Sequence, residues 1–209
     1  MNRLPSLVRQ HVAALRALIL ATIVLGLIYP AVIFGIGQGA FHANANGSLV
    51  SYKGQVIGSS LLCQEFVDAK GNPLPQYFQP RPSAATSGAT TDYGCDPGFS
   101  AASNLGPDNP VLVQDIKQRQ QQIEKFDHVT ASQIPPDAVT ASASGLDAYI
   151  SPANAAIQVD RVAAARHISP AAVRALVAKD TAGRTLGFLG EPRVNVLTLN
   201  LMLDQKYPA

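Results

Sequence analysis

The sequence predicts an α+β protein: one N-terminal transmembrane helix followed by a single mixed α/β extracytoplasmic domain. Three observations carry that expectation. After Arg16 no Lys, Arg, Asp or Glu occurs until Lys53. Beyond that gap, helix-start signatures at Asn109-Pro110, Ser151-Pro152 and Ser169-Pro170 alternate with short strand-like runs. The remaining length, roughly 170 residues, suits one domain with its own core and is short for two.

The gap holds Ala17 to Gly37, about 21 apolar or small residues, which at ~1.5 Å each span a ~30 Å hydrocarbon core. We place the membrane helix at 17–39, a cytosolic basic N-terminus at 1–16 and the extracytoplasmic (periplasmic) domain at 40–209. Arg3, Arg9 and Arg16 precede the span with no acidic residue, and the positive-inside bias sets this orientation. A cleaved secretory signal shares the basic start, and Ala43-Asn44-Ala45 supplies a small-x-small site. Its apolar core, however, normally runs only about 7–15 residues. A core helix of a soluble protein rarely stays apolar on every face for so long. An uncleaved anchor fits the length.

Within the span, Ala31, Gly35 and Gly39 recur at i, i+4 and i+8, as do Thr22, Gly26 and Pro30. Small residues at that spacing let a second helix approach the backbone, although Gly and Ala are also simply common in such spans. Pro30 removes one backbone hydrogen bond and predicts a bend near the middle. Gly35-x-Gly37-x-Gly39 follows no strand and is not a dinucleotide loop.

Beyond the membrane, Ser48–Tyr52 and Gln55–Gly58 flank Lys53-Gly54, a hairpin with Gly at its turn. From Lys70 to Pro110 turn residues dominate, interrupted by Gln76-Tyr77-Phe78-Gln79; so long a stretch is either a functional loop or a disordered one. Asp108 or Asn109 then caps a helix opened by Pro110, with Leu112, Ile116, Ile123 and Phe126 on one face. Ser151-Pro152 and Ser169-Pro170 open two further helices that form a paired unit. Val194 to Leu203 alternates like a strand, yet Val196, Leu199 and Leu203 also fit a helix.

Charge and cysteine usage exclude some functions. Three of the 16 basic residues precede the span and none of the 14 acidic ones do, so the external part is close to neutral and nucleic acid is not a partner. Cys63 and Cys95 fall where a disulfide persists, but their spacing fits neither a redox nor a zinc motif; a disulfide and two free thiols both remain open.

HExxH, GxSxG and GxxxxGK[ST] are absent from the chain. His42, His128 and His167 have no partner at metal-binding spacing, and Asp92, Asp96 and Asp108 read as turn chemistry rather than a cation site. The most unusual polar run is Thr140–Asp147. Its Thr140, Ser142, Ser144, Gly145 and Asp147 form either a turn offering backbone N–H groups to an anion or a partner, or a plain loop before the next helix. A tethered extracytoplasmic enzyme or a free-standing binding module is the competing class.

A set of phrases in order along the whole chain resembles the KdpC subunit family of bacterial Kdp potassium-uptake pumps. They are Tyr29-Pro30, Gly58-Ser-Ser-Leu-Leu62 with Gln64 and Phe66, Tyr77-Phe78 with Arg81-Pro-Ser-Ala84, Ser103-Asn-Leu-Gly-Pro107, Val139 to Asp147, Ile150-Ser-Pro152, Gln158 with Arg161-Val162, Ala165-Arg166, Val194-Asn195 and Leu199-Asn-Leu201 with Leu203-Asp204. Departures are Cys63 in place of the usual Gly, Ser100-Ala-Ala102 in place of a Gly-Gly turn, and a local expansion at Lys70–Pro75.

The resemblance implies a non-catalytic subunit of an ATP-driven potassium pump in the bacterial inner membrane. Implied partners are a channel-like potassium-translocating subunit, a P-type ATPase subunit and a small membrane subunit, with the lipid bilayer around the span. Potassium is then the ion the complex transports. ATP enters only indirectly, through a catalytic-chaperone role that raises the ATPase subunit's affinity. Because the orientation puts Thr140–Asp147 across the membrane from cytosolic ATP, any such effect is expected to be allosteric.

Overall fold

The computed structural model describes residues 5–86 and 95–208; Arg3 and Asp92 lie outside the described residues. The chain divides into two units, one ending at Ser48 and one starting at Leu49.

The first unit is a helix of 35 residues, Ser6–Ala40, with mean hydropathy 2.5 over its most apolar window and no buried side chain in that window. It starts well before the apolar segment, so residues carrying Arg9, His11 and Arg16 are helical too. Helix α1 (Ser6–Ile23) passes through a π-turn at Val24–Ile28 into α2 (Tyr29–Ala40). The π-turn is the local answer to Pro30, which lacks an N–H and whose ring crowds the carbonyl four residues back; widening the preceding turn relieves both. A short turn α3 (His42–Ala45) follows, closed by Asn46, whose Nδ2 donates to His42 O at 2.7 Å.

The second unit opens with the expected hairpin of β1 (Leu49–Tyr52) and β2 (Gln55–Ser59), paired antiparallel with Tyr52 opposite Gln55. Lys53 (φ 49°) and Gly54 (φ 81°) are both left-handed, as a two-residue turn matching strand twist requires. Helix α4 (Pro110–Asp127) has Asn109 as its cap, accepting Val111 N–H at 2.9 Å, and His128 ends it at φ 56°. On its inner face Ile123 is buried beside Ala138 and Val139 of α5 (Pro136–Val139), with Ile116 packed at the margin.

Three capped helices build the main core. Ser151 caps α6 (Pro152–Ala165), Ser169 caps α7 (Pro170–Asp180) and Asn195 caps α8 (Val196–Lys206), each accepting a first-turn N–H. They pack with a three-stranded antiparallel sheet in the order β3-β5-β4: β3 (Tyr149–Ile150), β5 (Arg193–Asn195) and β4 (Thr181–Ala182). Val159, Val162, Val173, Val194, Leu199 and Leu203 are at most 1% exposed. The ambiguous Val194–Leu203 run is thus both things in turn, strand to Asn195 and helix from Val196. Asp180 sets the switch, accepting Asn195 N–H (3.1 Å) and Thr198 Oγ1–H (2.8 Å) at the helix start.

The described part of the polar stretch from Lys70 is a buried spine at its centre, with Phe78 and Ala85 at 0% exposure. Phe78 N–H donates to Asn200 Oδ1 (2.8 Å), and Asn200 Nδ2 donates back to Phe78 O (2.9 Å). Gln158 does the same for Gln79, at 2.7 and 3.2 Å. Arg161 donates to the carbonyls of Pro75 and Tyr77, and Arg166 to that of Gln76. Side chains from two helices therefore supply the hydrogen bonds a strand neighbour would give, which is what lets irregular backbone enter a core. Cys63 and Cys95 form a disulfide with Cα atoms 5.9 Å apart, deciding between the two states the sequence leaves open.

Candidate partner-contact site

Thr140–Asp147 runs from the end of α5 to β3 and is stitched into the domain along its length. Thr140 N–H and Oγ1–H both donate to Pro136 O. Buried Ser142 donates its N–H to Pro82 O, and Ser144 O accepts from Ala101 N–H and Ser100 Oγ–H. Gly145 sits at φ 72°, and a Cβ there would come within 2.6 Å of both Ala85 Cβ and Ala101 O. The N–H groups of Thr140, Ser142, Gly145 and Leu146 are all spent inside the domain. These four are therefore not available to cradle an anion; the run is a packed seam whose outward-facing members are Ala143, Ser144 and the Asp147 carboxylate.

Asp147 leads to a concavity lined by several charged side chains. Its Oδ2 accepts from Arg81 Nη1 at 3.0 Å, and its Oδ1 from Tyr149 N–H at 3.0 Å. Together with Asp137, Glu191 and Arg193 they line a cleft of about 490 Å³. Arg193 lies over the Tyr149 ring, 5.2 Å from its centroid. Among the described residues it has no carboxylate at ion-pair distance. Asp137 is committed to Ser151 and Asn154, so it acts as an anchor for α6 rather than as a free acid.

A larger cleft, about 620 Å³, lies beside Asp127, His128, Asp160 and Arg161. Its Asp127 and Arg161 are buried and bound to each other at 2.7 Å, with Arg161 also stacked on Phe126. Burial pushes the Asp127 carboxyl above the usual carboxylate range, against the pull of Arg161. Burial likewise raises Asp180, whose hydrogen bonds from Thr198 and Asn195 oppose the shift. No group of three His, Cys, Asp or Glu side chains is placed to hold a metal among the described residues.

On the first unit, a Cβ at Gly35 or Gly39 would meet nothing within 4 Å, and one at Gly26 only Thr22 Cγ2 at 3.9 Å. Thr22, Pro30 and Ala31 are exposed on the same helix. The polar residues that organise the core, Gln158, Arg161, Arg166 and Asn200, were missed as structural anchors by the sequence reading. For Gln158, Arg161 and Asn200 the signal is a position inside an otherwise apolar helical face, whereas Arg166 lies just past the end of α6.

The fold is that of a chain with one N-terminal helix long and apolar enough to cross a membrane, followed by one α+β domain. A family sequence model described as "KdpC: K+-transporting ATPase, c chain" matches residues 11–205. The chain is 47% identical to the potassium-transporting ATPase KdpC subunit of Kineococcus radiotolerans, over 98% of each chain. It is 47% identical to that of Methylococcus capsulatus (91% and 95% covered) and 45% identical to that of Geobacter sulfurreducens (93% and 97%). The chain belongs to the KdpC family, a subunit of potassium-transporting ATPases.

Proposed function

We propose that this subunit assembles and stabilises a potassium pump from the extracytoplasmic side, with its helix packed among the other subunits' membrane helices. Its partners in this reading are a channel-like potassium-translocating subunit, an ATP-hydrolysing P-type subunit and a small membrane subunit. The domain covers the external face of the channel-like subunit. Effects on ATP affinity, the catalytic-chaperone role, reach the cytosolic site allosterically through the bilayer helices or that external face. The open flank at Gly35 and Gly39 supports helix packing.

The observation that carries the placement is the Cys63–Cys95 disulfide in the domain, because such bonds persist in oxidising compartments and are rare in the cytosol. It agrees with the basic residues before the span, an independent feature. The test is cysteine labelling of intact cells with a membrane-impermeant thiol reagent. Ser144→Cys, on an exposed part of the seam, is expected to label, while Ser6→Cys labels only after lysis. The opposite pattern defeats the placement and with it the cap.

A further inference from the structure

Residues 182–192 are exposed without interruption and form a hairpin projecting from the β4–β5 pair. Its tip is apolar: Leu186 is 79% exposed, Phe188 68% and Leu189 50%. The tip is also rigidly built. Thr185 and Leu189 exchange both backbone hydrogen bonds at 2.9 Å, and Gly187 N–H donates to Arg184 O at 3.1 Å. Leu186 (φ 55°) and Gly187 (φ 83°) form a left-handed turn, for which Asn or Gly at the first position costs less than Leu. A large apolar side chain held in a disfavoured backbone state, in water, is explained when something binds it.

We propose that this hairpin is the element by which the domain docks on a protein partner. Leu186, Phe188 and Leu189 fill an apolar pocket, and Arg193 at the stem meets a carboxylate on the pocket's rim. The inference deepens the proposed cap and rests on that reading. Charge complementarity identifies the occupant. Arg184, the cation nearest the tip, is neutralised by both carboxylate oxygens of Glu191 (2.9 and 2.7 Å), so an anionic lipid surface finds no net attraction there. Arg193 stands instead at the open cleft beside Asp147 and Tyr149, where Asp147 is taken by Arg81 and Glu191 by Arg184, so that among the described residues Arg193 has no carboxylate at ion-pair distance. A preformed turn also rewards a shaped pocket, whereas a fluid bilayer gains nothing from it.

The test places the photoreactive residue p-benzoylphenylalanine at position 188 of the full chain, in membranes containing the whole pump. Arg174, on another exposed surface, is the control position. The expected product is an adduct between position 188 and a subunit that co-purifies with the chain, with none from position 174. Phe188→Ser and Arg193→Gln should each weaken retention of the chain in the complex about tenfold, the scale of one well-packed interface anchor, and Phe188→Ser should do so without lowering its melting temperature. Adducts to lipid alone, or co-purification with no protein adduct at 188, overturn the hairpin assignment while leaving the cap standing. A chain that never co-purifies overturns both.

Discussion

Asn200 and Phe78 meet as two strands would: the buried amide of Asn200 accepts the Phe78 N–H at 2.8 Å and donates to its carbonyl at 2.9 Å. One side chain on α8 thus satisfies both backbone groups of a fully buried residue in a segment without regular structure. Asn200→Ala leaves two orphaned polar groups at 0% exposure, at a cost of about 1–3 kcal/mol each. The measurement is urea unfolding followed by circular dichroism, and a shift below about 0.5 kcal/mol, ordinary for a surface substitution, would contradict the pairing.

Gly145→Ala tests the seam. Both the φ of 72° and the 2.6 Å approach to Ala85 Cβ oppose any side chain there. The expected loss is at least about 2 kcal/mol, from backbone strain together with overpacking. Ser144→Ala, at an exposed neighbour, should cost far less in the same unfolding assay.

The pH dependence of stability should carry the mark of Asp180. Burial raises its carboxyl above the ordinary 3.8, so the folded state binds its proton more tightly than the unfolded chain does. That contribution is fully present below pH 3.8 and is lost as pH rises through the folded-state value. In Asp180→Asn the loss is absent. Melting temperatures from pH 3 to 7 should therefore show the variant gaining on the native protein as pH rises; a gap that stays constant or moves the other way contradicts the assignment.

The helix flank makes a prediction of a different kind. Gly35→Leu with Gly39→Leu keeps the span apolar, so insertion into the membrane is unchanged, but the side chains occupy the space a second helix would use. Retention of the chain by the other subunits should drop severalfold, as read by quantitative pull-down at constant expression. Full retention shows that this flank faces lipid.

Much of the fold was legible because it rests on local chemistry. Lys53-Gly54, Asn109-Pro110, Ser151-Pro152 and Ser169-Pro170 each satisfy their turn or helix end with their own atoms, so the sequence window contains the cause. The central spine was not legible for the opposite reason. Phe78 and Gln79 are held by Asn200 and Gln158, 122 and 79 residues away, and no local pattern encodes that pairing. The Val194–Leu203 ambiguity had the same origin, since Asp180 and the Asn195 cap fix where strand becomes helix. At the candidate site Asp147 was identified from its run, but the cleft it lines depends on Arg81 and Arg193, which only the tertiary fold brings near it. The apolar hairpin tip went unread because an isolated Leu-Gly-Phe-Leu looks the same buried or exposed.

The most direct test of the central claim is gentle solubilisation of native membranes followed by size-exclusion chromatography. The account predicts that the chain elutes with two larger membrane proteins and that these fractions hold potassium-stimulated ATPase activity. Elution alone, near 22.0 kDa plus detergent and apart from that activity, would contradict it.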